Sequence, residues 1–250
     1  MRTVKLILAY DGTDFVGWQR QASGESVQGL IEAALSRIEG TAVVVHGAGR
    51  TDAGVHAEAQ AASVRIASAL DDGTLARALN ANLPAAVRVM DVQTVGDDFH
   101  ARFSATAKVY EYRVWNGPAV PPFVRRYVWH VPQPLDMSLL DEATRAIPGE
   151  HDFAAFQGTG SATHTTVRRV LSAAWQRSPT EPLATFVIAG EGFLRHMVRS
   201  LAGTLVEIGL GRRPPADMAR LLAEPSRADA GRTAPPCGLF LVRVLYGLSS

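Results

Sequence analysis

Apolar and polar residues in the first half of the chain follow a strand period in some stretches and a helix period in others. Residues 4–10 form an apolar run that predicts a strand. Over 27–38 apolar residues recur every three or four positions, which predicts a helix with Ser26 as its N-cap. The pattern then predicts strands at about 42–46 and 60–66, a helix at about 74–83 with Thr74 as N-cap, and a strand at 86–95. The predicted order is therefore β-α-β-β-α-β.

The second half of the chain has a similar order. Residues 109–115 alternate strongly and predict a strand, and a helix is expected at 136–147. Further strands are expected at 167–177, 183–189 and 239–246, and further helices at 192–208 and after Pro214 and Pro215. Split β-α-β units are typical of the ferredoxin-like fold, which RNA-recognition modules also use. We therefore predict an α+β protein with two ferredoxin-like halves, residues 1–104 and 105–250, each with an antiparallel sheet.

Composition and charge narrow the class of protein. The 250 residues are 47% hydrophobic and 20% charged, as is typical of a globular protein. No apolar run approaches the roughly 18 residues of a membrane span. The single cysteine, Cys237, excludes an internal disulfide and favours a reducing, cytoplasmic location. The net charge is −3 over residues 1–104 and +4 over 105–250, so the second half carries the more positive surface, which permits a polyanionic ligand.

A glycine-rich stretch at residues 47–57 is the strongest candidate for chemistry. It contains three glycines together with Arg50 and Asp52, and it directly follows an apolar run. Glycine lets such a segment turn sharply and lets a ligand approach its backbone, and a neighbouring arginine keeps a carboxylate ionised. Asp52 is therefore a candidate reactive group. An ordinary turn with a local ion pair explains the same pattern.

Several familiar sites do not fit this stretch. Asp52 stands where a dinucleotide-binding fingerprint needs its third glycine, and no Gly-Lys-Ser/Thr follows to make an ATP-type loop. Asp52 and His56 have the spacing of two metal ligands on a helix. However, Gly54 lies between them, and the motif supplies no further ligands. We therefore expect no metal.

Residues in the predicted strands and helices add further candidates. Arg195 and Arg199 lie four apart on the predicted helix at 192–208, where they either face solvent or reach a cleft that contains Asp52 or a phosphate. Tyr110 and Tyr112 lie on one face of their strand, where they either fill the core or stack on nucleobases.

Two polar or basic segments complete the set of candidates. Residues 99–104 are basic and aromatic and include Arg102, and the polar loop 157–166 leads to Arg168. Such a loop is either a plain linker or a segment that becomes ordered on a ligand.

Six motifs together make the chain resemble the TruA family of tRNA pseudouridine synthases, over essentially its whole length. In chain order they are Tyr10-Asp11-Gly12-Thr13 with Gly17-Trp18-Gln19; Gly49-Arg50-Thr51-Asp52-Ala53-Gly54-Val55-His56-Ala57; Phe99-His100-Ala101-Arg102-Phe103-Ser104-Ala105; Lys108-x-Tyr110-x-Tyr112; Phe193-x-x-His196-Met197-Val198-Arg199; and Gly238-Leu239-x-Leu241. The resemblance implies isomerisation of uridine to pseudouridine at positions 38 to 40 of the tRNA anticodon arm, without cofactor or metal.

The resemblance also implies a role for each matched residue. Asp52 is the essential carboxylate, which either attacks C1′ or removes the C2′ proton, and Arg199 pairs with it. Arg50 helps to flip the target nucleotide, Tyr110 stacks on the extruded uracil, and Leu241 packs against the other side of the base. The site is expected in a cleft between the two halves.

The expected partners are tRNA and a second copy of the chain, with no membrane. Arg102, Lys108 and Arg168 are the basic residues expected to contact the RNA, in a homodimer whose subunits can both touch one tRNA. Two other classes remain open. A non-catalytic RNA-binding module would not need Asp52, and a glycosidic-bond hydrolase typically needs a second carboxylate, which the motif lacks.

Overall fold

The computed structural model describes residues 1–160 and 163–247, which form both strands and helices. The α+β class predicted from the sequence is confirmed. The described residues form ten strands, β1 (Arg2–Tyr10), β2 (His46–Gly47), β3 (His56–Ile66), β4 (Val87–Val95), β5 (Ala105–Trp115), β6 (Trp129–His130), β7 (Gly149–Asp152), β8 (Val167–Arg177), β9 (Leu183–Gly190) and β10 (Leu239–Tyr246). They also form five α-helices, α1 (Val27–Glu39), α2 (Asp72–Asn82), α3 (Met137–Thr144), α4 (Met197–Gly209) and α5 (Ala216–Ala223).

The chain divides into two units. The first comprises Met1–Thr106 and the chain from Phe240 onward, and the second comprises Ala107–Leu239. Strand β10 therefore groups almost entirely with the first unit, although it lies late in the sequence. The functional division at residues 104 and 105 stays a prediction.

The sheet of the first unit is built around β1 and β3. Strand β1 lies between β4 and β3, and both pairings are antiparallel. Strand β2 pairs antiparallel with the later part of β3, where His46 lies opposite Ser63. Strand β10 pairs parallel with the start of β3, where Phe240 lies opposite His56. The connection from β2 to β3 therefore begins and ends on the same sheet.

The longer strands of the second unit pair antiparallel. Strand β9 lies between β5 and β8, β7 borders β8, and the short β6 runs parallel beside the end of β5. Helix α4 contributes a fully buried stripe to the core, Leu201, Leu205 and Ile208, as its apolar spacing predicts. Large aromatic side chains fill the remaining core, and Tyr112, Phe153, Phe156 and Phe186 are fully buried.

Several predicted elements are confirmed in detail. Strands β8 and β10 have the predicted bounds. Helix α1 begins after Ser26, whose hydroxyl accepts a hydrogen bond from the amide of Gly29. Helix α2 is capped by Asp71, so the prediction of Thr74 as its cap is wrong. The Asp71 carboxylate accepts from both the amide and the hydroxyl of Thr74, which places Thr74 inside the first turn.

The strand predicted at 42–46 is reduced to the two residues of β2. The reason is that helix α1 satisfies the backbone just before it. The amide of Val45 donates to the Glu32 carboxylate at 3.0 Å, and the Val45 carbonyl accepts from the Gln28 side chain at 2.9 Å. These groups are therefore not available to a sheet. Strands β6 and β7 were not predicted, because elements of two and four residues show no period.

Helix α4 begins at Met197 rather than at 192. His196 has a φ of +63°, in the left-handed region, so the backbone before it cannot belong to the helix. Arg195 thus precedes the helix, and the prediction that Arg195 and Arg199 are helical neighbours is wrong. Within the described part of the chain, no helix is long and apolar enough to cross a membrane.

Candidate active site

Asp52 lies in the connection between β2 and β3, in the first unit. It is half-buried, and its carbonyl accepts a hydrogen bond from the amide of Val55 at 3.1 Å, so it begins a tight turn. Gly54, the third residue of this turn, has a φ of +76°, which side-chain-bearing residues rarely adopt. Arg50 precedes the turn and is exposed. The glycine-rich stretch therefore forms a turn that presents Asp52, as predicted.

The segment between β1 and α1 packs directly against the backbone of this turn. The amide of Trp18 donates to the carbonyl of Thr51 at 3.1 Å. Gly17, with a φ of +107°, lies so close that a Cβ on it would be 2.6 Å from the Thr51 carbonyl oxygen and 3.1 Å from the Asp52 carbonyl carbon. A Cβ on Gly12 would overlap the carbonyl of Val55. Two glycines thus allow one loop to lie directly on the backbone of another.

Hydrogen bonds from side chains of β1 and β3 also fix this segment. The hydroxyls of Tyr10 and Thr51 lie 2.8 Å apart in a buried contact, and the Gln60 amide donates to the carbonyl of Gly49 at 2.8 Å. Burial raises the pKa of Tyr10 to about 12, so its hydroxyl is neutral at physiological pH. The residues just before Asp52 are therefore fixed to β1 and β3.

His56 closes the turn as a structural residue. Its Nδ1 accepts a hydrogen bond from the amide of Gly12 at 3.0 Å and lies 3.2 Å from the Asp11 carboxylate. Its ring stacks on Phe240 with centroids 4.6 Å apart. Among residues 1–160 and 163–247, no cluster of three or more histidine, cysteine or acidic side chains could hold a metal ion. The buried contacts of His56 account for its place in the motif.

Leu241 and Arg102 also lie in the first unit. Leu241 is fully buried on β10, opposite Ala57 of β3. Arg102 is exposed in the turn after β4, and its guanidinium carbon lies 5.6 Å from the centre of the Phe103 ring. Leu241 thus lies in the strand beside the start of β3, whereas Arg102 faces solvent.

Tyr110 and Tyr112 of the second unit have different surroundings. Tyr112 is fully buried, and its hydroxyl donates to the carbonyl of Pro235 at 2.7 Å, which confirms a core role for this residue. Tyr110 retains 7% exposure, and its ring meets the Phe193 ring edge to face at 5.2 Å. Tyr110 is therefore held by an aromatic neighbour in a nearly buried position.

Arg199 lies in the first turn of α4 and is half-buried. Its Nε donates to the carbonyl of Ala234 at 2.9 Å, and the Ala234 amide donates to the Arg199 carbonyl at 3.1 Å. A purely solvated position on a helix edge is thereby excluded. Arg195, in contrast, is exposed and donates to the carbonyl of Thr159 at 3.0 Å.

The two other basic candidates of the second unit are half-buried. Lys108 lies on β5 opposite Gly190, and Arg168 lies on β8. The Arg168 guanidinium donates to the carbonyl of Thr165 at 2.9 Å, and partial burial lowers its pKa. In the polar loop predicted at 157–166, residues 161 and 162 lie outside the described residues.

The sequence does not reveal that the loop between β1 and α1 packs against the Asp52 turn. In the sequence, Gly12, Gly17 and Trp18 stand out only through the resemblance to a family. In the structure, a Cβ on Gly47 would also overlap the Trp18 indole. The available signal is the spacing of glycines around large aromatic residues at 10–19 and the glycines of the Asp52 stretch. That pattern shows that backbones approach closely, but it does not show which backbones do so.

Asp52 thus lies on a turn that backbone contacts hold in place, within an α+β scaffold. The family model described as tRNA pseudouridine synthase matches residues 6–104 and 143–247. The chain belongs to this family, and it is an isomerase. Asp52, Arg50, Arg199 and Leu241 lie within the matched segments, whereas Tyr110 lies between them.

Individual relatives match along nearly the whole chain. The tRNA pseudouridine synthase A 1 of Desulfotalea psychrophila is 42% identical over 98% of this chain and 100% of its own. The tRNA pseudouridine synthase A of Solidesulfovibrio magneticus is 46% identical, over 99% of this chain and 92% of its own. The tRNA pseudouridine synthase A of Syntrophotalea carbinolica is 43% identical, over 98% of this chain and 97% of its own. A chain from a solved structure of a Cbf5-Nop10-Gar1 complex is a more distant match. Its TM-score is 0.40 at 12% identity, over 95% of this chain and 48% of that one.

Proposed function

We propose that this protein isomerises uridine to pseudouridine at positions 38, 39 and 40 of the tRNA anticodon stem-loop, with Asp52 as the essential carboxylate. The observation that carries the proposal is the fixed Asp52 turn. Gly17 and Trp18 hold the turn through the Thr51 backbone, and Tyr10 holds it through the Thr51 side chain. A group that must meet one carbon atom of a substrate benefits from such fixation, because misplacement by about 1 Å can cost about 100-fold in rate.

The reaction breaks the bond between N1 of uracil and C1′ of ribose and forms a bond between C5 and C1′. Asp52 either attacks C1′ as a nucleophile or removes the C2′ proton to give a glycal-like intermediate. Each route needs an ionised carboxylate close to the ribose. The half-buried position of Asp52 on its turn supports both, since it combines access to substrate with partial protection from water.

Arg50 and Tyr110 stabilise the flipped-out state of the target base. Extrusion of a paired base costs a few kcal/mol, which an inserted cation and an aromatic stack can offset. Arg50 is exposed two residues before Asp52, where it can enter the space that the base leaves. Tyr110 stacks on the extruded uracil, and its edge contact with Phe193 supports a fixed ring orientation.

Two ferredoxin-like halves form the cleft in this proposal, with residues 1–104 supplying Asp52 and residues 105–250 supplying Tyr110 and Arg199. The antiparallel order β4-β1-β3-β2, with two helices between the strands, supports this layout for the first half. Arg199 pairs with Asp52, and the hydrogen bond from its Nε to Ala234 supports a fixed guanidinium. Leu241 packs against the other side of the uracil.

The wider assembly is part of the same proposal. Arg102, Lys108 and Arg168 contact the RNA backbone, and a homodimer lets one tRNA touch two subunits. The enzyme works in the cytoplasm with no cofactor and no metal, because a carboxylate and a flipped base suffice for the isomerisation.

The direct test uses three unmodified tRNA transcripts, each with a single uridine among positions 38, 39 and 40. Each is incubated with the protein in chelator and without cofactor, and pseudouridine is mapped by carbodiimide-blocked primer extension. Conversion of all three is expected. Conversion only elsewhere in the tRNA contradicts the assigned positions, release of free uracil favours a hydrolase, and binding without conversion favours an RNA-binding module.

Arg199 is tested against Arg195, which lies four residues earlier but outside α4. Arg199→Ala is expected to lower the single-turnover rate constant by about 100-fold or more, because an unpaired Asp52 loses its orientation. Arg195→Ala, which removes an exposed arginine, is the matched control and is expected to retain the rate. Equal rates for the two variants would remove Arg199 from the site.

A further inference from the structure

An exposed aromatic side chain stands on the surface of the first unit, outside the residues assigned to catalysis. Phe103 is 76% exposed, in the turn that follows β4. The Arg102 guanidinium carbon lies 5.6 Å from the centre of its ring. A large aromatic ring exposed beside a cation has the composition of a nucleobase-stacking site, since a base offers a π-face and its phosphate offers a charge.

The Phe103 ring is the outer member of a stack of three rings. The centroids of Phe103 and His100 lie 4.4 Å apart, and those of His100 and His46 lie 4.9 Å apart, each pair inclined at 35°. His46 belongs to β2, so the stack is rooted in the sheet. We call Phe103, His100 and His46 the ring stack. The half-buried His100 ring supports Phe103 on one side, and the exposed part of Phe103 is left for a ligand.

Hydrogen bonds fix the turn that carries the ring stack. The Nδ1 atom of His100 accepts from the amide of Arg102 at 3.1 Å and from that of Phe103 at 3.4 Å. The amide of Ala101 donates to the Ser63 hydroxyl at 3.0 Å. An Nδ1 atom that accepts both bonds belongs to a neutral imidazole, and burial together with the nearby His46 lowers the pKa of His100 accordingly.

The same turn is also held from the end of the chain. The Tyr246 hydroxyl of β10 donates to the carbonyl of Ala101 at 2.9 Å. The ammonium of Lys5 lies 4.9 Å from the centre of the Tyr246 ring, which adds a second cation to this face of the unit. The ring stack is therefore ordered before any ligand arrives, and binding to it costs little conformational entropy.

The turn that carries the ring stack and the connection that carries Asp52 share one small core. Ala48, at the start of the connection that carries Asp52, packs with Ala61 and with Ala101 of the ring-stack turn. His46 itself is separated from Arg50 by only three residues. A nucleic acid strand that delivers a base to Asp52 therefore passes over the unit that displays Phe103.

We propose that Phe103 stacks on an unpaired base of the RNA substrate near the target uridine, while Arg102 contacts the adjoining phosphate. The inference rests on the proposed function for the identity of the RNA, but binding can be measured without turnover. The exposed ring is flanked by a guanidinium, the cation whose geometry best matches a phosphate. The chemistry of the ring stack therefore favours RNA over a second protein.

The test measures the affinity for a fluorescently labelled unmodified tRNA transcript in an Asp52→Asn background, so that turnover does not alter the ligand. Phe103→Ala is expected to weaken binding about 10-fold, or about 1.4 kcal/mol, because one base loses its stacking partner. Phe103→Trp keeps a π-face and should bind as tightly as the parent. Phe103→Leu keeps apolar area without a π-face and should resemble Phe103→Ala.

Met90→Ala is the matched control, because Met90 is an exposed apolar residue of the same unit, at 63% exposure, that lies outside the ring stack. It should leave affinity unchanged. Arg102→Ala should weaken binding and reduce the slope of log affinity against log salt by about 1, since one phosphate contact is lost.

Three outcomes would overturn the proposal. These are equal affinities for Phe103→Ala and Met90→Ala, equal losses for Phe103→Trp and Phe103→Ala, and a change of oligomeric state with RNA affinity unchanged, which would assign the face to a second copy. A wild-type protein that binds tRNA through Phe103 but forms no pseudouridine would refute the proposed function and leave the stacking site standing.

Discussion

Gly17→Ala perturbs the Asp52 turn without touching Asp52 itself. Gly17 has a φ of +107°, and a Cβ added to it would lie 2.6 Å from the Thr51 carbonyl oxygen and 3.1 Å from both the Ala53 nitrogen and the Asp52 carbonyl carbon. These three atoms belong to the backbone, so no side chain can rotate away. Either the loop of Gly17 or the turn of Asp52 has to move.

Two effects contribute to the expected loss in the free energy of unfolding. An L-residue in the left-handed region costs about 1–2 kcal/mol, and relieving the overlap adds about 1–3 kcal/mol, as for other overpacked sites. We therefore expect the free energy of unfolding to fall by about 2–5 kcal/mol. We also expect the single-turnover rate constant to fall by about 100-fold, because relief of the overlap displaces Asp52 by a fraction of an ångström to 1 Å.

Gly40→Ala is the matched control, because it introduces backbone strain at a positive φ without any atomic overlap. Gly40 ends α1 with a φ of +70°, and no atom lies within 4 Å of a Cβ added there. Its substitution should cost about 1 kcal/mol of stability and leave the rate constant unchanged.

The assay combines urea unfolding with single-turnover pseudouridine formation, at a temperature where each variant is fully folded. If Gly17→Ala and Gly40→Ala lose stability but both keep the wild-type rate constant, contact between Gly17 and the turn does not position Asp52. The fixation argued for the turn would then be refuted.

Two further predictions concern the structure around the turn. Because the pKa of Tyr10 is raised from 10.0 to about 12, its contribution to stability is present below pH 10 and is lost as the pH rises towards 12, by up to about 3 kcal/mol. Tyr10→Phe should remove this part of the alkaline decline in urea-unfolding free energy, and an unaltered decline would contradict the burial of the hydroxyl. Glu32 is buried and accepts from the amide of Val45 at 3.0 Å, so Glu32→Ala should cost about 2–3 kcal/mol by urea unfolding. Glu32→Gln keeps an acceptor oxygen and should cost less, and equal losses for the two variants would show that the hydrogen bond is unimportant.

Much of the fold follows from the period of apolar residues. Strands β8 and β10 have the predicted bounds, and Ser26 caps α1, because these elements are long or carry a strong local signal. The errors lie where a distant or special contact overrides the local pattern. Glu32 of α1 takes the Val45 amide from a predicted strand, and the left-handed His196 delays the start of α4. Neither is visible in a window of neighbouring residues.

The sequence indicates the candidate residues of the site, but it does not indicate the contacts that hold them in place. Asp52, Arg50 and the glycines stand in one short stretch, so the sequence indicates a turn that presents a carboxylate. The contacts that fix this turn come from Gly12, Gly17 and Trp18, about 35–40 residues earlier in the chain. Only the pairing of β1 with β3 brings the two segments together, and a period of two does not reveal which strands pair.

The role of Asp52 is tested most directly by single-turnover pseudouridine formation with enzyme in excess over unmodified tRNA. Asp52→Asn keeps the shape of the side chain and removes its charge, and it should lower the rate constant by at least about 1,000-fold while tRNA still binds. Asp91→Asn, an exposed aspartate on β4 of the same unit, is the control and should stay within about two-fold of wild type. An Asp52→Asn protein that forms pseudouridine within about ten-fold of the wild-type rate would show that the carboxylate does not carry the isomerisation.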